Sequence, residues 1–365
     1  MNTTRAGLRP VALSIRDADM QGDRIFTLPS DGPVDLAPYT PWRLVREVGC
    51  AAGFELMTAD QIGVRGIDPR EVTVISYDWP PSTDTLVAGG ASLGVLTSLE
   101  PPVIAWELYY HLRETSGRFP HTLLFEGGRK RAAATTEFHS LQFPQVRHPR
   151  LIDWAEWRQR SFLVSINSNK AVVRSFTRWF DRPREVSIKR ELASRLYPPV
   201  GADLYLERLR AAAQFAGRPD FDLFGQGWQR RHPAVPRQLH QAMLRAYRGP
   251  VAEKLETLAR YKFSLCLENS IFEGYVSEKI FDCFFSGTIP IYLGAPDVDR
   301  LIPAETFIDL RCFKTYTELE SHLDGLDEAS MRRYLDAAAD FVRSEAYAPF
   351  SVERFAQQIV KLVAP

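Results

Sequence analysis

KFSLCLENSIFEGYVSEKIFDCFFSGTIPIYLGAP occupies residues 262–296. Its opening, KFSLCL, is mostly apolar and β-prone, the pattern of a strand covered on both faces. The chain crosses through ENSIFEGYVS and then changes period. Ile280, Phe281, Phe284 and Phe285 recur at helical spacing and predict a helix with a broad apolar face. Ser277 stands where an N-cap belongs and Gly287 where a C-cap glycine belongs. The segment returns as IPIYL, with Pro290 at its start because proline cannot donate to a strand ladder. Strand, loop, helix and strand fit one right-handed parallel crossover. Glu278 and Lys279 therefore fall in the first helical turn at the C-terminal edge of a parallel sheet, where open α/β domains bind ligands. A lysine opposes the helix dipole there, unless an anion such as a phosphate normally sits beside the free N–H groups.

Working outward, the first half alternates β-prone runs (72–79, 85–90, 94–100, 121–128) with a helical pattern at 106–115. Such alternation predicts an α/β domain on a largely parallel sheet. RSFLVSINSNK (160–170) reads as the opening strand of a second α/β unit, continued by FDLFGQGW (221–228) and a helix begun by Pro250. The expected division is 1–158, 159–348 and a C-terminal helix within 349–365, with Val352, Phe355, Ile359 and Leu362 on its apolar face.

Lys plus Arg and Asp plus Glu number 45 each, so no overall charge argues for a nucleic-acid or anionic-membrane partner. Four cysteines, far apart and without CxxC spacing, are expected to be buried thiols of a reducing compartment rather than disulfides or a zinc site. No apolar run reaches the roughly 18–20 residues of a membrane span, and the N-terminus lacks a signal-peptide core. The expectation is a soluble cytoplasmic protein, with peripheral membrane contact left open.

Glu268, Asn269, Tyr275, Val276, Ser277, Glu278, Lys279 and Gly294, followed by IPAETFIDL (302–310), closely resemble the signature of the α1,3/1,4-fucosyltransferases, glycosyltransferase family 10. The resemblance covers about fifty residues. It implies an α/β GT-B fold, two Rossmann-like domains facing a central cleft, with the donor in the C-terminal one. It also implies inverting transfer from GDP-fucose without a metal or other cofactor. By carry-over Lys279 would contact the diphosphate, Glu278 the donor ribose, and Asn269 and Tyr275 the donor pocket, with Glu268, Val276 and Ser277 beside them. The family places a further arginine on the phosphates. Arg190 is the best match, with Lys170 and Arg184 as alternatives.

Inverting displacement also needs a carboxylate to accept the acceptor's proton. Glu100 follows the run GVLTSL and precedes Pro101 and Pro102, which would hold a carboxylate rigidly at the sheet edge, and SLEPP resembles the family's Glu-Ser-Pro motif with Pro101 in place of serine. Glu107 is the second candidate and Glu126 the third. Trp106 and Tyr109, with Glu107, are expected to line an acceptor groove, the acceptor being an N-acetylglucosamine-type sugar of a surface glycan such as lipopolysaccharide or exopolysaccharide. DAD (17–19) and DVD (297–299) are too short to argue for a metal, GQG (225–227) too short for a dinucleotide fingerprint, and the basic stretch 225–252 reads as a solvated face. Two rival functions stay open: a GT-B transferase using GDP-mannose or a UDP-sugar, and a catalytically inactive sugar-nucleotide or glycan-binding protein.

Overall fold

The computed structural model describes residues 7–29, 38–147, 153–170, 203–233 and 235–363. The chain divides into two compact units. One comprises 1–146, 273–275 and 348–365, the other 147–272 and 276–347.

The first unit is built on six parallel strands: β1 (Arg9–Ser14), β2 (Phe54–Thr58), β3 (Thr73–Tyr77), β4 (Ser92–Thr97), β5 (His121–Leu124) and β6 (Glu137–Ser140). Their order is β2-β1-β3-β4-β5-β6. The direction of winding reverses between β1 and β3, so the C-terminal ends of those strands bound the crevice where such sheets take ligands. The run 85–90 does not form a strand. It closes the helix Pro81–Ala88, and the 106–115 pattern is split at His111 into Trp106–Tyr110 and Leu112–Ser116.

The second unit carries β7 (Ser161–Ile166), β8 (Phe221–Phe224), β9 (Tyr261–Leu267), β10 (Ile289–Leu293) and β11 (Ile308–Asp309), in the order β11-β10-β9-β7-β8 and again parallel. The reversal lies between β7 and β9. The helix expected from Pro250 begins at Lys254 instead and runs Lys254–Leu258, Glu253 occupying its N-cap.

The crossover read from the sequence forms as expected. The helix is Glu278–Ser286, capped by Ser277 and closed by Gly287 in the left-handed conformation at φ 66°. Its outer side is covered too. Phe281 and Phe284 meet Phe341 of the helix Glu328–Arg343, so every residue from Ile280 to Ser286 is buried, Asp282 included.

The division falls at Val146, before the expected 158, because Trp157 belongs to the second unit's core and donates its indole N–H to the Gly287 carbonyl. The last helix, Val352–Val363, packs within the first unit, Phe355 edge-on to Trp42 at 5.4 Å. Its buried face is Phe355, Ala356, Ile359, Val360 and Val363, turned from the expected stripe so that Val352 and Leu362 are only half-buried. All four cysteines are thiols, but only Cys266 and Cys283 are buried. Cys50 is half-buried and Cys312 exposed, which corrects the expectation that all four were interior. Among the described residues no helix is long and apolar enough to cross a membrane.

Candidate functional site

In the second unit the chemistry gathers where β7 and β9 end. Glu268, the residue after β9, is 0% exposed. A carboxylate removed from water requires partners, and the N-terminus of the neighbouring helix supplies them. The Ser277 N–H donates to Oε1 at 2.8 Å, the Ser277 hydroxyl to Oε2 at 2.7 Å, and the Lys279 ammonium to Oε2 at 3.2 Å. Lys279 also donates to the Ser277 hydroxyl at 3.0 Å. One helical turn on, Lys254 reaches Asp282 at 2.7 Å and Glu278 at 3.4 Å, and Arg147 stands 3.6 Å from Asp282.

Burial opposes charge on Glu278, Lys279, Lys254 and Asp282, and the partners decide the outcome. The Glu278 carboxyl is held down at about 2: desolvation works against ionisation, but the ammonium groups of Lys279 and Lys254 outweigh it. Lys279 remains raised despite burial because Glu268 and Glu278 face it. Asp282 is pushed up by burial, with Glu278 adding repulsion.

Asn269 carries the site toward β7. Its side-chain oxygen accepts from Arg208 at 2.9 Å, and the same guanidinium donates twice to the Leu267 carbonyl, at 3.2 and 2.8 Å. Arg208 is 4% exposed and close enough to Lys279 to oppose that lysine's charge. Lys170, after β7, and Arg208 both lie over the ring of Tyr205, at 5.9 and 5.3 Å. Lys170, Arg208 and Lys279 thus gather at the β7/β9 reversal. Gly225 and Gly227 hold the third wall. At φ 122° and with no Cβ, Gly225 lets the β8 turn press on the Asn167 carbonyl, which also accepts from Trp228 Nε1 at 2.6 Å. The glycines serve close backbone approach rather than a dinucleotide fingerprint.

Sequence reasoning missed Arg208, Lys254 and Arg147, each supplied by a segment outside the signature. Arg190 and Arg184 lie outside the described residues. Val276 is fully buried, and Tyr275 is 2% exposed, its ring edge-on to Phe125 at 5.1 Å within the first unit. Arg230, Arg231, Arg237, Arg245 and Arg248 are all exposed, as a solvated basic face requires.

In the first unit Glu100 follows β4 with its backbone N–H donating to the Ser98 hydroxyl at 3.1 Å. Beside it, at the β1/β3 reversal, stands a residue the sequence did not suggest. Asp78 and Trp79 adopt left-handed backbone at φ 60° and 52°, strained for side chains of their kind. The Asp78 carboxyl is pushed up to about 6 by burial, against a hydrogen bond from Ser98 and the charge of Arg16. Its Oδ1 is buried without a hydrogen-bond partner. Asp78 and Glu100 both bear on the buried phenols of Tyr77 and Tyr109, whose pKa values rise through burial and these two charges.

The other base candidates are occupied. Glu107 is exposed and paired with Arg16 at 2.7 Å. Glu126 is bound by Arg129 and by the Ser140 hydroxyl, which hold it below the usual carboxylate range and make it a poor base. Of the residues expected to line an acceptor groove, Trp106 is half-buried, whereas Tyr109 is 1% exposed and cannot offer a ring face to a sugar. Its helical position turns it into the core. Asp17 caps a short 3-10 turn and Asp297 precedes the helix Val298–Leu301. Neither belongs to the three-ligand cluster found among the described residues.

Residues 206–348 match the family model described as glycosyltransferase family 10 (fucosyltransferase) C-term. An alpha-(1,3)-fucosyltransferase FucT of Helicobacter pylori is 42% identical over 86 residues, 24% of this chain and 18% of that protein. An alpha-(1,4)-fucosyltransferase of Arabidopsis thaliana is 38% identical over 71 residues, 20% of this chain and 18% of that one. The matched stretches thus span under a fifth of these relatives. A crystal structure of an alpha1,3-fucosyltransferase superimposes with a TM-score of 0.51 at 14% identity, covering 98% of this chain and 92% of the other. That likeness shows the fold, two parallel-sheet α/β domains of the GT-B class, and the resemblance carried by 268–310 is borne out.

Proposed function

Because residues 206–348 match the family model of glycosyltransferase family 10, we propose that the chain is an inverting, metal-independent fucosyltransferase. It would move fucose from GDP-fucose to a hydroxyl of an N-acetylglucosamine-type acceptor in a surface glycan. The observation that carries the reading is the gathering of Lys170, Arg208 and Lys279 at the β7/β9 reversal, beside a helix N-terminus. Cations placed there before the reaction stabilise a diphosphate as it accumulates charge, without reorganising.

Glu268 and Ser277 accept from the Lys279 ammonium and Glu278 stands 3.7 Å from it, so a phosphate oxygen would share this cation with them. Glu278, held ionised, accepts from the ribose hydroxyls. Glu100 takes the acceptor proton as the acceptor oxygen bonds to the anomeric carbon. The bond from that carbon to the β-phosphate oxygen breaks on the opposite face, and GDP leaves with the electron pair.

The test is calorimetric titration of the purified chain with GDP, UDP and CDP in EDTA, on wild type and Arg208→Gln. Selective GDP binding that weakens in the variant, followed by turnover of GDP-fucose that Glu100→Gln abolishes, supports the proposal. Tighter binding of UDP would replace the donor, turnover indifferent to Glu100→Gln would remove the base from Glu100, and GDP binding without any turnover would make this a binding protein.

A further inference from the structure

At the opposite edge of the first unit's sheet three side chains meet that the transfer reaction does not use. His121 is the first residue of β5, and its register partner is Glu137, the first residue of β6. His139 follows Glu137 by two positions along β6. In-register neighbours of a parallel pair, and residues two apart on a strand, point to one face. All three side chains therefore project together, and their donor atoms lie within 4.8 Å of one another.

The spacing is that of a coordination shell. His121 Nδ1 lies 3.4 Å from Glu137 Oε2, His139 Nε2 lies 3.7 Å from Glu137 Oε1, and the two imidazole nitrogens are 3.4 Å apart. Zinc bonds of about 2.0–2.2 Å to nitrogen and carboxylate oxygen place tetrahedral ligands roughly 3.3–3.6 Å from each other. The same contacts are poor hydrogen bonds, since ring nitrogens at such a distance exceed the usual 2.7–3.2 Å range of about that geometry. The side chains are 27%, 67% and 27% exposed, which leaves a fourth direction open to water.

We propose that His121, Glu137 and His139 form a binding site for a divalent transition cation of the zinc class, with one open position. Two imidazoles and one carboxylate suit a borderline cation and disfavour magnesium or calcium, which prefer oxygen. The site stands at the N-terminal ends of β5 and β6, whereas Glu100 follows the C-terminal end of β4. The cation is therefore structural and stands apart from Glu100. It ties β6, an exposed edge strand of four residues, to β5, its ladder partner among the described residues. Arg129 and Lys361 lie near His139 and weaken the site electrostatically, although Arg129 is already neutralised by Glu126.

The test uses the full chain stripped with EDTA and exchanged into chelator-free buffer. Zinc is titrated calorimetrically, and cobalt is followed by its visible absorption. One equivalent should bind, cobalt should show the intense bands of a tetrahedral site, and zinc should raise the melting temperature. His121→Ala, His139→Ala and Glu137→Gln should each weaken binding at least about tenfold, the loss that even an outer partner of a metal can cause. Cys312→Ser should change nothing. Glu137 is largely exposed, so its variant stays folded if either histidine variant does not. Absence of stoichiometric uptake, or uptake unaltered by Glu137→Gln and the histidine variants, overturns the proposal. Transfer activity plays no part in the readout.

Discussion

Replacing Lys279 by Met should destabilise the second unit before it affects any substrate. Glu268 is wholly buried, and its compensation comes from Ser277 and from the Lys279 ammonium at 3.2 Å. At an effective dielectric constant of 20 that separation corresponds to a gross attraction of about 5 kcal/mol. Desolvation of both ions offsets much of this in the intact pair, but removing one partner strands the other, at a cost of roughly 3–5 kcal/mol. The loss extends to Glu278, which stands 3.7 Å from the same ammonium and would depend on Lys254 alone. Adding Glu268→Gln to Lys279→Met should restore more than half of the stability, because the buried charge is then gone while Ser277 still finds an acceptor. Hydrogen exchange across 261–286, read by mass spectrometry, follows this segment alone and avoids treating a two-unit chain as two-state. A single variant with wild-type protection, or a double variant no better than the single, would refute the argument. GDP binding should fail in both, which separates the lysine's structural part from its part in the site.

Asp78→Asn tests the strained corner. The folded carboxyl titrates near 6 against an ordinary 3.8, so the folded state keeps its proton where the unfolded state has lost it. That contribution is complete below about pH 4 and disappears as pH rises through 6, beyond which ionisation costs roughly 3 kcal/mol. The variant should melt above wild type at pH 8 and with it near pH 4, and equal melting at pH 8 would contradict the burial argument. Glu100→Gln should lower turnover by about 10²–10⁴ with GDP affinity unchanged, measured by single-turnover kinetics and calorimetry. Gly225→Ala forces a Cβ into the Asn167 carbonyl at a positive φ and should cost more than about 1 kcal/mol, detected as a lower melting temperature.

The crossover 261–293 was legible because every instruction for it is local: an apolar strand, an N-cap serine, a C-cap glycine and a returning strand lie within one short stretch. The parallel sheets and the exposed basic face followed from similar short-range patterns. Arg208 and Lys254 were illegible because nothing near them in the chain marks an arginine or lysine as interior. Their burial is decided by Leu267, Asn269, Glu278 and Asp282, residues distant in sequence. Asp78 escaped for another reason. A left-handed, non-glycine backbone leaves no trace in composition, and its significance comes from the order of the strands around it. Tyr109 shows the converse error, an aromatic that chemistry would assign to a sugar and helix rotation assigns to the core.

The first unit is assembled from segments far apart in the chain, since helix 352–363 covers Trp42 and contacts β4. During synthesis the six-stranded sheet therefore emerges from the ribosome long before the segment that seals it. In the interval the Trp42 face is bare apolar surface, a place for a chaperone or for another nascent chain to settle. The closing helix thus sets the moment at which the first unit's sheet stops being prone to aggregate.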